Sequence, residues 1–340
     1  MANAMAAVET LILSAREKRA KGDLDGALAD YAKAIELKPD FAVAYNNRGL
    51  VKLARKDVSG ALADLERAIS LDPHLAEAYA NRGDAHKLAG DVAAALDDYT
   101  RAIALRPTLV VAHLNRAELH RKLGNLQPAL DDFDRTIQLN PSSVPALCNR
   151  GLVKRAIGDL AGALADFSRG IELNPKSAES RMNRGTVRRA LQDLAGALAD
   201  FDAALALKPD WPDALNNRGL TRQAAGDFPG AVADFSRAIE LKPSVPVTWN
   251  NRGLAHHAQK HFDAAIADYT KAITMKPDYA SAYGNRSAAR IVQGNMKGAA
   301  ADFKRAVALD PAIANDMDFD QFAAAITANA RGLFTADDFD

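Results

Sequence analysis

The stretch Ala42–Leu75 reads AVAYNNRGLVKLARKDVSGALADLERAISLDPHL, and its thirty-four residues decide the fold. Its proline, Pro73, belongs to a series: Pro39, Pro73, Pro107, Pro141, Pro175, Pro209, Pro243, Pro277 and Pro311 follow one another at intervals of 34 residues without an insertion. A fixed period of this length marks stacked copies of one small unit rather than a domain around a single core. Of 340 residues, nine units occupy 8–313, from 8–41 and 42–75 through to 280–313. A lead-in at 1–7, a last helix within 314–332 and an acidic tail at 333–340 remain, so no segment is left for a catalytic domain.

Counting each unit from 1, so that Ala42 is place 1 and Pro73 place 32, makes the local structure readable. Places 1–14 carry small and apolar residues at helical spacing. Place 15 is usually glycine (Gly22, Gly90, Gly124, Gly158, Gly226, Gly294), with Lys56, Gln192 and Lys260 as exceptions, and Asp mostly follows. Glycine ends one helix and a carboxylate suits the start of the next. Places 17–30 form a second helix, which the proline at place 32 stops. Each unit is therefore predicted to be a helical hairpin. Place 20 is Ala in all nine units and place 8 is Gly in six, which lets the paired helices approach closely. Place 24 is a large apolar residue, from Tyr31 and Leu65 to Tyr269 and Phe303, expected to pack into the next hairpin.

Composition excludes several function classes. Lys plus Arg and Asp plus Glu are both 43, so global attraction to nucleic acid or a membrane surface is unsupported. One cysteine, Cys148, forbids an intrachain disulfide and suggests a reducing, cytoplasmic setting. No apolar run reaches membrane-spanning length. The segment 1–14 lacks a basic region, and reads as the start of the first helix rather than a signal peptide. Nucleophile–base, phosphate-loop and dinucleotide motifs do not occur, so neither an enzyme nor a cofactor is expected. His257 and His261 lie one helical turn apart, but zinc wants three or four ligands; no metal site is assigned.

Two charged columns run through the units. Place 23 is Asp in all nine, and place 7 is Arg in eight, Arg48 to Arg286. In a hairpin turning near place 15 these lie level, which predicts an Arg–Asp bridge, within a unit or between neighbours. Place 11 is basic throughout (Lys18, Lys52, His86, His120, Lys154, Arg188, Arg222, His256, Arg290). Paired charge columns set register; an acid–base or phosphate site is the alternative.

An aromatic or apolar residue at place 4 (Tyr45, Tyr79, Trp249, Tyr283), Gly at 8, Ala at 20, an aromatic at 24, Ala at 27 and Pro at 32 resemble the tetratricopeptide repeat. Places 7 and 11 depart from that pattern in being basic, and place 4 departs in His113 and Arg181. The resemblance implies an all-α, right-handed α-solenoid superhelix of about nine hairpins with a C-terminal capping helix. It further implies that the first helices line a concave groove, with places 2, 5, 6, 9, 12 and 13 facing inward.

In that frame place 6 is a column of asparagines: Asn47, Asn81, Asn115, Asn149, Asn183, Asn217, Asn251 and Asn285. Asparagine is a poor helix former, so repeated mid-helix copies need a reason. Each amide either braces a neighbouring helix or joins a ladder that holds an extended peptide backbone. The ladder is similar to that in the repeat region of O-GlcNAc transferases. Place 12 adds Lys87, Arg121, Arg155 and Arg189, reinforced by Lys122, either as solvated charges or as a field favouring an acidic segment. Asp84, Glu118, Glu77 and Glu179 dilute that field; Leu50, Leu152, Leu220, Leu254, Leu114, Cys148 and Met182 offer apolar footholds. Lys at place 5 is missing, which disfavours binding of chaperone EEVD tails. The expected function is a non-catalytic scaffold for peptide segments of partner proteins. Alternatives are a self-associating platform, as a homo-oligomer, and the substrate-recruiting region of a larger enzyme such as a glycosyltransferase.

At the C-terminal end, Asn315 or Asp316 is expected to cap a helix reaching about Arg331, with Met317, Phe319, Phe322 and Ile326 on its apolar stripe and Gly332 ending it. The tail from Phe334 to Asp340 is acidic with two phenylalanines, either loose or entering the basic groove.

Overall fold

A computed structural model describes residues 2–314 and 317–329. Among these the chain is helical, without strands, and forms two compact units, residues 1–166 and 167–340. The helices are α1 (Ala2–Ala20), α2 (Leu24–Leu37), α3 (Ala42–Ala54), α4 (Val58–Leu71), α5 (Ala76–Ala89), α6 (Val92–Leu105), α7 (Val110–Lys122), α8 (Leu126–Leu139), α9 (Val144–Ala156), α10 (Leu160–Leu173), α11 (Ala178–Ala190), α12 (Leu194–Leu207), α13 (Pro212–Ala224), α14 (Phe228–Leu241), α15 (Pro246–Ala258), α16 (Phe262–Met275), α17 (Ala280–Val292), α18 (Met296–Leu309) and α19 (Phe319–Asn329). Odd-numbered helices up to α17 are the first helices of the repeats and even-numbered ones the second. The lead-in is not a separate segment: α1 starts at Ala2.

The turn inside each hairpin is built by two adjacent residues. Gly22, Gly90, Gly124, Gly158, Gly226 and Gly294 take φ of +78 to +85°, a left-handed conformation that ends the first helix. The next residue serves both helices. Asp57 donates its N–H to the Lys52 carbonyl at 2.9 Å, closing α3, while its carboxylate accepts from the Gly60 N–H at 2.9 Å, capping α4. Lys56, Gln192 and Lys260 adopt the same left-handed geometry at φ of +61 to +64° without being glycine.

The place 24 side chains occupy the core, and Tyr31, Leu65, Tyr99, Phe133, Phe167, Phe201, Phe235 and Tyr269 are fully buried. Tyr31, Leu65, Tyr99, Phe133, Phe235 and Tyr269 each meet their own hairpin and the following one. Phe133 packs on Ala117 and Ala129 of its own unit and on Ala146 and Val153 of the next. The glycines at place 8 face these rings: a Cβ on Gly83, Gly219 or Gly253 would stand 2.6–2.7 Å from a ring carbon of Tyr99, Phe235 or Tyr269. Glycine there follows from the ring opposite it, within the same hairpin.

First helices of successive hairpins touch one another in both units (α3 with α5, α5 with α7, α7 with α9; α11 with α13, α13 with α15, α15 with α17), whereas no pair of successive second helices makes comparable contact among the described residues. Crowding on one side makes the first helices the inner wall of each stack. At the far end Phe322, Ala323 and Ile326 of α19 cover Ala288, Ile291, Ala299 and Phe303. The cap of α19 differs from expectation. Asn315, Asp316 and Gly332 lie outside the described residues, as does the acidic tail. Instead the Asp318 carboxylate accepts from the Gln321 N–H and the Gln321 side chain accepts from the Asp318 N–H, both at 2.9 Å. This reciprocal pair satisfies two of the donors a helix start leaves open.

Candidate binding face

The charged columns resolve into a clamp inside each hairpin. Arg48, Arg82, Arg116, Arg150, Arg184, Arg218, Arg252 and Arg286 each donate twice, through Nε and Nη2, to the aspartate sixteen residues on, at 2.5–2.9 Å. The planar guanidinium matches the carboxylate in fork–fork fashion. The bridge therefore lies within a unit. Place 11 supplies a second cation to the same carboxylate: Lys52 reaches Asp64 at 2.8 Å, Arg222 reaches Asp234 at 2.8 Å and Arg290 reaches Asp302 at 2.6 Å. In the fourth hairpin His113 stands against the same carboxylate, with Nδ1 2.9 Å from Asp132. Burial pushes the Asp132 carboxyl up, but hydrogen bonds from His113 and Arg116 outweigh it and hold the group below the usual range.

Place 4 explains its own departures. Tyr45, His113, Arg181 and Trp249 all reach the carbonyl of the proline six residues earlier, at 3.3, 3.1, 3.0 and 2.9 Å. In these four units the side chain ends in a polar head that reaches the proline carbonyl, so His113 and Arg181 serve there as Tyr45 and Trp249 do, while Leu11, Leu147 and Leu215 occupy the same place without one.

The asparagine column is first of all a set of straps between neighbouring first helices. Asn81 Nδ2 donates to Asn46 Oδ1 at 2.8 Å, Asn115 to Asp84 at 2.8 Å, Asn149 to Glu118 at 3.4 Å, Asn251 to Asn216 at 3.3 Å and Asn285 to Asn250 at 3.1 Å. Where place 5 of the preceding unit holds an asparagine the strap goes there; where place 9 holds a carboxylate it goes there instead. Asn217 turns back to the Asp213 carbonyl of its own helix at 2.9 Å. Asn47, Asn251 and Asn285 are buried, at 9, 1 and 1 % exposure, so the expectation of a peptide-facing amide fails for these three. Asn81, Asn115, Asn149, Asn183 and Asn217 remain half-buried. Because Asp84 and Glu118 can only accept, the amides of Asn115 and Asn149 turn Nδ2 toward them and leave Oδ1 as the acceptor.

The place 12 cations divide into engaged and unengaged groups. Lys87 lies 3.1 Å from Asp84, which also accepts from Tyr99 Oη at 2.6 Å and from Asn115. Asp84 is thus committed to the protein's own donors, and burial first, then the hydrogen bond to the Asp84 carboxylate, push the Tyr99 hydroxyl up. Glu77 is paired with Arg106. Arg121 and Arg155 are half-buried and form no ion pair among the described residues. Burial alone acts on Arg155 and pushes its guanidinium down, and Arg121 Nε is buried without an acceptor. Arg189 lines a cavity of about 250 Å³ with Ala190, Gln192, Leu194 and Ala224. Lys122 and Glu179 are exposed; Leu50, Leu114, Cys148, Leu152, Met182 and Leu220 are half-buried, and Leu254 is buried. His257 is sealed against Phe262, ring centroids 5.2 Å apart, and no group of metal-ligating side chains forms among the described residues.

Stacked helical hairpins of constant length, closed by an αL turn and a proline, define a class of helical repeat protein. Tetratricopeptide repeat models match residues 15–54, 42–75, 76–109, 110–143, 148–214 and 246–279, and the chain belongs to the tetratricopeptide repeat family. Such repeats mark protein-interaction scaffolds. No characterised protein sequence matches the chain closely enough to count as a relative. Among solved structures it is similar to a tetratricopeptide repeat protein from Parabacteroides merdae (22% identity, TM-score 0.51, covering 74% of this chain and 99% of that one). It is also similar to pilF of Pseudomonas aeruginosa (19%, 0.55, 60% and 93%) and to the Cut9–Hcn1 assembly of APC/C (15%, 0.57, 95% and 76%). At these identities the likeness is one of fold. No helix among the described residues is long and apolar enough to cross a membrane.

Proposed function

We propose that the chain is a non-catalytic, cytoplasmic scaffold whose inner first-helix faces bind extended, acidic segments of partner proteins. One contrast carries this reading. Every place 7 arginine from Arg48 onward is held by a buried aspartate, whereas Arg121 and Arg155, half-buried on the first helices, pair with no carboxylate among the described residues. A partly desolvated cation without a counter-charge favours an anionic ligand. The Oδ1 atoms of Asn115 and Asn149 stand on the same helices, and offer acceptors to the N–H groups of a bound main chain. In unit 167–340 Asn183, Asn217 and Arg189 occupy the same places of their repeats.

Selection from a random peptide library tests this. Wild-type protein should enrich sequences rich in Asp and Glu, and the Arg121→Gln/Arg155→Gln variant should lose that enrichment while retaining its melting temperature. Equal enrichment by both proteins, or recovery of peptides without acidic bias, refutes the reading.

A further inference from the structure

We propose that the inner wall formed by α5, α7 and α9 selects a ligand in the polyproline-II conformation with acidic side chains at every third residue. This rests on the reading of that wall as a site for acidic peptides, and adds the ligand's conformation and spacing.

The wall and the ligand must share a period. Three consecutive first helices carry the same two groups in the same register: Asn81 and Lys87 on α5, Asn115 and Arg121 on α7, Asn149 and Arg155 on α9. Helices packed side by side repeat at about 8–10 Å. A ligand lying across them must present an equivalent group at that interval. A β-strand repeats the same face every two residues, at about 6.6 Å, or every four, at about 13 Å, and neither matches. Polyproline II turns once in about three residues with a rise of about 3.1 Å per residue, so residues i, i+3 and i+6 stand on one side about 9 Å apart.

Hydrogen bonding points the same way. A polyproline-II backbone makes no internal hydrogen bonds, and its N–H groups stay open to a partner. The straps leave Oδ1 of Asn115 and Asn149 as acceptors, since their Nδ2 atoms are held by Asp84 and Glu118. One acceptor per helix then meets one main-chain N–H per turn of ligand. Along the same wall each cation meets one carboxylate. Lys87 keeps donors to spare beside Asp84, because an ammonium carries three N–H groups and Asp84 already accepts from Tyr99 and Asn115. Asparagine Oδ1 atoms do not accept from proline, so the third-residue positions facing them are those where the ligand avoids proline.

Fluorescence anisotropy with the full chain and three labelled nine-residue peptides of equal composition class tests the proposal. The first places Glu at residues 1, 4 and 7 with Pro at 3 and 6; the second moves the Glu residues to 1, 3 and 5; the third has Gln in place of Glu in the first pattern. The first should bind at least tenfold tighter than either of the others, and should lose that advantage with Lys87→Gln/Arg121→Gln/Arg155→Gln. Equal binding of the first two peptides overturns the polyproline-II spacing and leaves the acidic-peptide reading intact. If both acidic peptides bind no better than the glutamine peptide at low salt, the acidic-peptide reading itself falls. The peptide comparisons use unaltered protein, so a folding defect in the variant cannot produce either result.

Discussion

Removing Asp200 should destabilise its hairpin out of proportion to its size. The carboxylate is 2 % exposed and accepts from Arg184 Nε at 2.9 Å, Arg184 Nη2 at 2.6 Å and Arg188 Nη1 at 2.9 Å. Asp200→Ala leaves the Arg184 guanidinium without its counter-charge and Arg188 with only a looser contact at 3.6 Å to the exposed Asp193 carboxylate. Breaking a fully buried pair costs about 3–5 kcal/mol. Here the arginine side chains keep 17 and 26 % of their surface in water, and each retains a neutral acceptor, Ser168 Oγ or the Gly196 carbonyl. Partial resolvation lowers the expected loss to about 2–4 kcal/mol. Urea unfolding followed by helical circular dichroism measures it, and a double-mutant cycle with Arg184→Met isolates the pair, with about 1–3 kcal/mol of coupling expected. In a stack each hairpin contacts only its neighbours, so amide exchange should quicken in α11 and α12 before the distant hairpins. A loss under about 1 kcal/mol, with exchange unchanged in α11 and α12, refutes the clamp as a buried ion cluster.

Three further outcomes are expected. Tyr269 Oη is buried without a partner among the described residues, whereas Tyr99 Oη donates to Asp84; Tyr269→Phe should be neutral or stabilising, and Tyr99→Phe should cost about 1–2 kcal/mol in chemical denaturation. Lys56, Gln192 and Lys260 hold a left-handed φ that costs a side-chain residue about 1–2 kcal/mol, of which glycine returns part through its freer unfolded chain. Each substitution to Gly should therefore raise stability by about 0.5–1 kcal/mol, read as a higher melting temperature. His257 is 2 % exposed with neither ring nitrogen partnered, and burial pushes its pKa down. The unfolded chain then takes up the proton first, so stability is full above about pH 6.5 and falls as the pH drops below it. His257→Leu should flatten that part of a stability–pH curve; an unchanged slope between about pH 6.5 and 5 refutes the assignment.

The repeat, its two helices and their ends were legible because each depends on chemistry local in sequence. Glycine or a tolerated substitute must fill place 15 to end the first helix in a left-handed turn, and proline stops the second. The Arg–Asp clamp was legible as a level pair, since the turn position fixes which residues stand opposite. Its location inside the hairpin was not, because counting gives height along a helix and not the neighbour faced. The same limit hid the second cation at place 11 and the place 4 hydrogen bond to the preceding proline carbonyl. For the latter a partial signal existed: Tyr, Trp, His and Arg at place 4 share little except a donor at the end of a long stem, although Leu11, Leu147 and Leu215 stand there too.

The asparagines at place 6 serve two ends. Counting could not choose between brace and ladder; in the structure five of the eight brace a neighbouring first helix through Nδ2, and three of the eight are buried. Yet the choice of strap acceptor was written in the neighbouring places. Units with Asn46, Asn216 or Asn250 at place 5 carry leucine at place 9, and units with Asp84 or Glu118 at place 9 carry Ala80 or Leu114 at place 5. One polar acceptor per interface suffices, so the other place is released to apolar residues. That exchange also sets where ligand chemistry is available. A carboxylate acceptor fixes the amide with Oδ1 free, as at Asn115 and Asn149, and the unpaired arginines of place 12 stand on the same two helices. The bracing and the proposed recognition therefore divide the two ends of one amide between them.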